Sequence, residues 1–406
     1  MGTTPFIFLF LGISLIAALI FSNGAKFLKS PLIVGYIIAG ALLGPSVFNL
    51  ISYEQIQSLE IINVLTLSLI GFGIGGALRW SEIKKLGKVI IYTLFFESFG
   101  AFIFVGIALS ILLKSIPLGI IFGALAVATA PAATVEVVRE YKAKGTLTTT
   151  LYAIVGLDDI LALIIFILVL PISLIFLGDT QIGASASILT ALGTAGLEML
   201  LSVVIGTVMG FVMIFITRQI HDRVKLLIFS LGIILLNCGI AEVLILSPIL
   251  LNMAMGIVVI NSKPINARKI FTALGDWSPP VYVWFFVLIG ARLDLSLLIK
   301  FGLLAIVYIL ARSSGKWVGS YVGGSLSGAM EPVRKYLGFC LLDQAGVAIG
   351  LALAASKTLE NLGMTLYAKQ IISTVTATTF LVMLVGPFFL KWALFKSGEA
   401  MADTGE

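Results

Sequence analysis

Two adjacent carboxylates, Asp158 and Asp159, stand in the middle of residues 148–170, an apolar run long enough to cross a bilayer. On insertion scales each such residue costs about 3 kcal/mol at a helix centre. Carboxylates retained there face a bundle interior or a wet cavity and mark an ion or proton path. The plainer reading makes one aspartate a cap on a broken helix and leaves its neighbour solvated. Ion handling explains both at once. A carboxylate that can hold a proton or a partly dehydrated cation, but not both, is an exchange device.

Other residues of the right type lie elsewhere in the chain. Arg312 and Lys316 are four apart in an apolar helix, hence on one face. Counted from the cytoplasmic helix ends at about 1.5 Å per residue, Asp158 and Lys316 reach the same depth, roughly 12–17 Å. A Lys316–Asp158 pair is the natural solution, with Arg312 the other candidate, and it leaves Asp159 free for an ion. Glu97 is the plausible partner of Arg312 in a structural pair. Ala128-Thr129-Ala130-Pro131-Ala132-Ala133-Thr134 places a proline in mid-helix, which removes a donor and frees carbonyls that must find partners or line a cavity. Asp343-Gln344-Ala345-Gly346 occupies the matching place in the second half, and Asp343 is expected to compensate the positive half-helix ends there. Paired interruptions of this kind are the strongest sequence pointer to a transporter binding site, against the plainer reading of two simple kinks. The expected ion and proton set is Asp159, Asp158 and Thr129, with Na⁺ at Asp159. For Glu198, Glu242, Glu136 and Glu140 helix-end or interface roles suffice.

The elements that position these residues follow from composition. The 406 residues are 59% hydrophobic and 11% charged, with a mean hydropathy of +1.13. Globular domains carry about 25% charged residues, so a soluble enzyme is excluded and a polytopic helical membrane protein remains. Cys238 and Cys340 read as small core residues, and the one histidine, His221, gives no basis for a histidine metal site. The N-terminal run lacks a basic region and a cleavage site and reads as the first span.

About thirteen spans follow from the apolar runs: 5–22, 31–46, 58–78, 88–113, 117–140, 147–176, 187–217, 225–244, 247–262, 277–293, 297–324, 335–357 and 367–394. The division at Ser247-Pro248 is the weakest. Alternate loops collect nineteen basic residues on one side and five on the other. The positive-inside rule then puts the N-terminus outside and the C-terminus in the cytoplasm, and the basic excess orients the protein rather than recruiting nucleic acid. Ser30-Pro31-Leu32 matches Ser247-Pro248-Ile249, and Ile74-Gly75-Gly76-Ala77-Leu78-Arg79-Trp80-Ser81 matches Ile289-Gly290-Ala291-Arg292-Leu293-Asp294-Leu295-Ser296. An odd number of spans separates the copies, so the repeat is inverted, as in many secondary transporters.

These residues resemble the monovalent cation:proton antiporter superfamily, in the branch of Nap-type sodium/proton antiporters and Kef-type potassium efflux systems. The resemblance covers essentially the whole chain. It rests on Gly35-Tyr36-Ile37-Ile38-Ala39-Gly40-Ala41-Leu42-Leu43-Gly44-Pro45, residues 128–140, Asp158-Asp159, Gly315-Lys316-Trp317-Val318-Gly319 and Gln344-Ala345-Gly346-Val347-Ala348. It implies a thirteen-helix fold with two discontinuous crossing helices. It also implies a homodimer, with ion-translocating core helices about 88–176 and 297–394 and dimerisation helices about 5–78 and 187–293. Asp159 would bind the ion and Asp158 would pair with Lys316, in an electrogenic exchange. Three departures bear on selectivity: Ala130 stands where relatives often have Ser or Asp, Asp343 replaces an apolar residue or proline, and Gly75-Gly76-Ala77 lacks a common acid. No cytoplasmic nucleotide-binding domain of the Kef type is expected.

The function expected is a Na⁺(Li⁺)/H⁺ antiporter in a prokaryotic cell membrane, working by alternating access without a cofactor. The alternative is a K⁺/H⁺ antiporter of the same fold. An intramembrane aspartyl protease using Asp158 and Asp343 is a remote reading, because its Gly-x-Gly-Asp signature is missing. A cation channel is separable by its lack of a counter-ion requirement.

Overall fold

A polypeptide in lipid must satisfy its own backbone, and this chain does so with helices alone: no strand occurs among the described residues. The computed structural model describes residues 3–27, 30–177, 184–220, 222–262, 264–293 and 302–400. His221, Lys300 and the Asp294-Leu295-Ser296 end of the second repeat lie outside them. In chain order the helices are α1 (Thr3–Phe27), α2 (Leu32–Leu43), α3 (Tyr53–Ser58), α4 (Glu60–Ala77), α5 (Trp80–Leu113), α6 (Ile116–Leu125), α7 (Pro131–Glu140), α8 (Thr146–Phe176) and α9 (Ala184–Thr217). They continue as α10 (Arg223–Leu244), α11 (Pro248–Ser262), α12 (Pro264–Trp277), α13 (Pro279–Ala291), α14 (Gly302–Ser327), α15 (Glu331–Cys340), α16 (Gly346–Asn361) and α17 (Thr365–Lys396).

The runs expected at 117–140 and 335–357 are each two helices, α6 with α7 and α15 with α16. Ser247-Pro248 is a true division: Ile245 turns left-handed at φ 53°, and Pro248 opens α11. Residues 264–276, expected in a loop, lie in α12. Its Ala267, Ile270, Ala273 and Leu274 are buried while Arg268 and Lys269 are exposed. This is an amphipathic period, which a search for uniformly apolar spans passes over.

The described chain forms two compact units, one of Met1–Lys85 with Gly196–Arg292, the other of Leu86–Ala195 with Leu293–Glu406. In the first unit, α2 packs on α13 and α4 on α11. Small residues set both contacts, as expected where helices associate by backbone approach rather than by a hydrophobic effect. A Cβ at Gly40 would overlap the backbone of Val287, and one at Gly290 would overlap that of Ile37. Gly75 and Gly256 meet the opposing backbone at Met253 and Phe72 in the same way. Gly75 and Gly290 are equivalent positions in the repeat, and each contacts a helix of the other copy. Gly290→Val is therefore expected to force α2 and α13 apart. The cost should be about 3 kcal/mol, the upper part of the usual overpacking range, read as a lower melting temperature of the detergent-solubilised protein.

The second unit holds the chemistry. Here α5 packs along α14 with backbones nearly touching: Gly100 and Gly315 face each other, Gly319 meets Phe96 and Glu97, and Gly323 meets Tyr92 and Thr93. Behind them Leu118, Phe122 and Leu125 of α6, Ala162 and Phe166 of α8, and Leu359, Ile371 and Val375 of α16 and α17 form one apolar core.

Candidate functional site

The break between α6 and α7 begins with local chemistry. Pro131 has no N–H to donate, disfavours a helical residue before it, and suits the first position of a new helix. Ala130 is accordingly extended, at φ −73° and ψ 114°. No proline marks the second break. There Ala345 leaves helical space, at φ −152° and ψ −135°, before Gly346 opens α16. One backbone bond joins the two breaks, Ala130 N–H donating to Asp343 O at 2.9 Å.

Breaking two helices inside a membrane exposes carbonyls, and each needs a donor. Arg312 of α14 supplies most of them. Its Nε donates to Ala126 O at 2.9 Å, Nη2 to Ala128 O at 2.8 Å and to Asp343 O at 3.3 Å, and Nη1 to Leu342 O. Gln344 Nε2 donates to Leu125 O at 2.7 Å and to the Tyr308 hydroxyl at 2.9 Å. Lys316 Nζ reaches Val127 O at 2.5 Å. Tyr308, Arg312 and Lys316 follow at four-residue steps, so one stripe of α14 faces the crossing.

The carboxylates gather around Lys316. Its ammonium lies 2.5 Å from Glu97 Oε2 and 3.5 Å from Asp158 Oδ2, and it donates to Thr129 Oγ1 at 2.9 Å. Glu97, Asp158, Lys316 and Arg312 have no exposed surface at all. Asp159, one residue along α8, is partly exposed, and its buried Oδ1 has no hydrogen-bond partner. Asp158 Oδ1 is likewise unpartnered. The two acids are thus unequal, one wholly buried beside a lysine and the other partly exposed without a hydrogen-bond partner on its buried Oδ1.

The expected Lys316–Asp158 contact and the nearness of Thr129 are present in this geometry, but the expected Glu97–Arg312 pair is not. Glu97 pairs with Lys316, and its Oε1 accepts from Ser98 Oγ at 2.8 Å. The reason is the glycine contact: with Gly315 and Gly319 against α5, Lys316 between them lies within reach of Glu97, while Arg312 extends toward the carbonyls of the crossing. Asp343 also differs from expectation in detail. Its backbone oxygen serves the crossing, whereas its buried carboxyl has no hydrogen-bond partner and fills the space where a Cβ at Gly386 would stand. Sequence reasoning missed Tyr308, which the four-residue spacing with Arg312 could have flagged, and the donor role of Gln344, which lay inside a quoted motif.

Two buried acids, Glu97 and Asp158, thus share one lysine where two interrupted helices cross. The family model for the transmembrane sodium/hydrogen exchanger matches residues 5–396. The chain belongs to the sodium/hydrogen exchanger family. It is therefore a multi-pass membrane transporter for cations and protons and not an enzyme, and the ions it moves are substrates rather than cofactors. Two solved structures of the sodium proton antiporter MjNhaP1 from Methanocaldococcus jannaschii share the exchanger's fold. One, at pH 8, is 19% identical over 99% of this chain and 100% of that one, with a TM-score of 0.73. The other, from electron microscopy, is 18% identical over 95% and 96%, with a TM-score of 0.74. No curated protein sequence matches the chain.

Proposed function

We propose that this exchanger is an electrogenic Na⁺(Li⁺)/H⁺ antiporter in which Asp159 and Asp158 exchange protons for one cation. The observation that carries this reading is the position of the Lys316 ammonium. It sits among Asp158 Oδ2, Thr129 Oγ1 and the Val127 carbonyl, an all-oxygen set that suits a dehydrated monovalent cation equally well. Sodium entering beside Asp159 competes with the ammonium for Asp158 and Thr129. A site that accepts the cation releases the protons held on its carboxyls, and a site emptied of cation takes protons and restores the Lys316–Asp158 contact. Glu97 holds Lys316 from the α5 side throughout.

Movement of the second unit, about 88–176 and 297–394, against a dimerising first unit, about 5–78 and 187–293, would expose the site alternately in an elevator-like cycle. The positive-inside pattern supports an outside N-terminus and a cytoplasmic C-terminus. The resemblance to bacterial Nap-type antiporters and Kef-type systems supports a prokaryotic cell membrane, and the family's habit supports a homodimer.

Potassium is the second reading, because Ala130 offers no side-chain oxygen where a smaller ion would gain one. The experiment is proton flux in proteoliposomes driven in turn by Na⁺, Li⁺, K⁺ and Rb⁺, with the membrane potential clamped at several values. Sodium and lithium are expected to drive exchange and the potential to bias it. Flux that ignores voltage would remove the electrogenic stoichiometry, and flux led by K⁺ and Rb⁺ would replace the ion.

A further inference from the structure

The helix that carries both aspartates starts without a cap of its own. Its N-cap residue is Gly145, which has no side chain to offer, and the Thr146 hydroxyl is engaged with Met330 Sδ at 3.4 Å. A helix start leaves four backbone donors unpaired and carries partial positive charge. Two of those of α8, at Leu147 and Thr148, are met from the far end of the chain. One carboxylate oxygen of Glu399 accepts from Leu147 N–H at 2.6 Å, and the other from Thr148 N–H and Thr148 Oγ1, both at 2.7 Å. The Glu399 carbonyl accepts from Lys144 N–H at 3.0 Å.

This contact is built from both sides. At the end of α17, Gly398 adopts φ +74°, and the N–H groups of Glu399 and Ala400 both return to Leu394 O, at 3.2 and 3.1 Å. That left-handed turn folds the chain back after the helix and aims Glu399 at α8. On the receiving side, a Cβ at Gly145 would overlap the Glu399 carboxyl. Around the contact, Lys391 lies over the Tyr141 ring at 4.7 Å, and Tyr141 meets Phe395 edge-on at 5.4 Å.

The geometry points to Glu399 as a positioning residue for exchange. Its carboxylate fixes the height and rotation of α8, and through that one continuous helix it sets where Asp158 and Asp159 stand against Lys316 and Thr129. The inference rests on reading those two aspartates as the exchange site. Leu147 and Asp158 are eleven residues apart, about 16 Å along a helix, so a first turn that frays or rotates is felt at the acids. Molecules with the cap open are poorly competent to bind, and the apparent affinity for the ion falls by the competent fraction.

The test measures the apparent KM for Na⁺ and the maximal rate in proteoliposomes, together with amide exchange at Leu147 and Thr148, for Glu399→Ala, Glu399→Gln and Gly145→Ala. Both alanine variants are expected to speed amide exchange. They should also raise KM about fivefold, the factor to which the ~1 kcal/mol of a typical helix cap converts, with little change in maximal rate. Glu399→Gln keeps the acceptor oxygen and should lie nearer the parent. Faster amide exchange with an unchanged KM would overturn the proposal and leave a structural cap. Unchanged amide exchange in Glu399→Ala would overturn it by removing the cap itself. If Glu399→Ala fails to fold, Glu399→Gln and Gly145→Ala decide by the same two readouts. Asp159→Asn, run alongside, tests the underlying site separately, because normal exchange there would sink that reading whatever Glu399 does.

Discussion

Asp159→Asn is expected to abolish sodium-driven proton movement in proteoliposomes while leaving the melting temperature of the protein close to that of the parent. Asparagine keeps the size and one carbonyl oxygen of the side chain but can neither carry a proton at working pH nor neutralise a cation. The loss of a charged ligand costs about 3 kcal/mol of cation stabilisation, on the order of a hundredfold in apparent affinity. Folding should be spared because Asp159 is partly exposed and its Oδ1 makes no hydrogen bond. The informative contrast is Asp158, which is wholly buried against Lys316. Loss of transport with retained stability at position 159, and loss of both at position 158, is the pattern an ion ligand beside a structural partner gives. Undiminished sodium-driven exchange by Asp159→Asn would dismiss the assignment.

The second large effect is expected at Arg312, and on stability rather than on affinity. Arg312→Ala removes the donors of the Ala126, Ala128 and Leu342 carbonyls together, and one of the two donors of the Asp343 carbonyl. Each buried acceptor left bare costs about 1–3 kcal/mol, so the summed loss is on the order of the whole stability of a typical domain. The variant should fail to give monodisperse protein in mild detergent. Arg312→Lys restores the charge but not the fork, since a compact ammonium cannot span carbonyls from both broken helices. It should fall between, with a clearly lowered melting temperature. A lysine variant as stable as the parent would show that charge alone holds the crossing, and that the guanidinium geometry contributes nothing.

Both predictions turn on a division of labour within α14. Arg312 spends its hydrogen bonds on backbone and so builds the crossing, whereas Lys316 divides its ammonium among Glu97, Asp158, Thr129 and the Val127 carbonyl. A group with several modest claims on it can be traded between partners. A group fixed by four hydrogen bonds on backbone carbonyls cannot. On the proposed reading, this is why the lysine takes part in exchange and the arginine, only one turn away, does not.

Much of this was legible in the residues themselves. Hydrophobic runs of bilayer length give the helices, and charges inside those runs are too costly to be incidental, so Asp158, Asp159, Arg312 and Lys316 announced a site before any contact was known. Pro131 announced the first break because its missing donor acts locally. What the residues could not decide was who faces whom. Glu97, at the repeat position of Ser313, is expected beside Arg312, yet the glycines at 315 and 319 draw α5 close around Lys316 and make that the pair. The second break has no proline, and its shape comes from bonds that Arg312 and Ala130 make to it and that its own Gln344 makes to Leu125, all partners distant in sequence. The cap on α8 by Glu399 joins residues some 250 positions apart and leaves no local mark. Periodicity, charge cost and proline chemistry are properties of a short stretch, so whatever depends on them can be read from the residues. Pairing across helices depends on how closely two backbones approach, and that exists only in the folded chain.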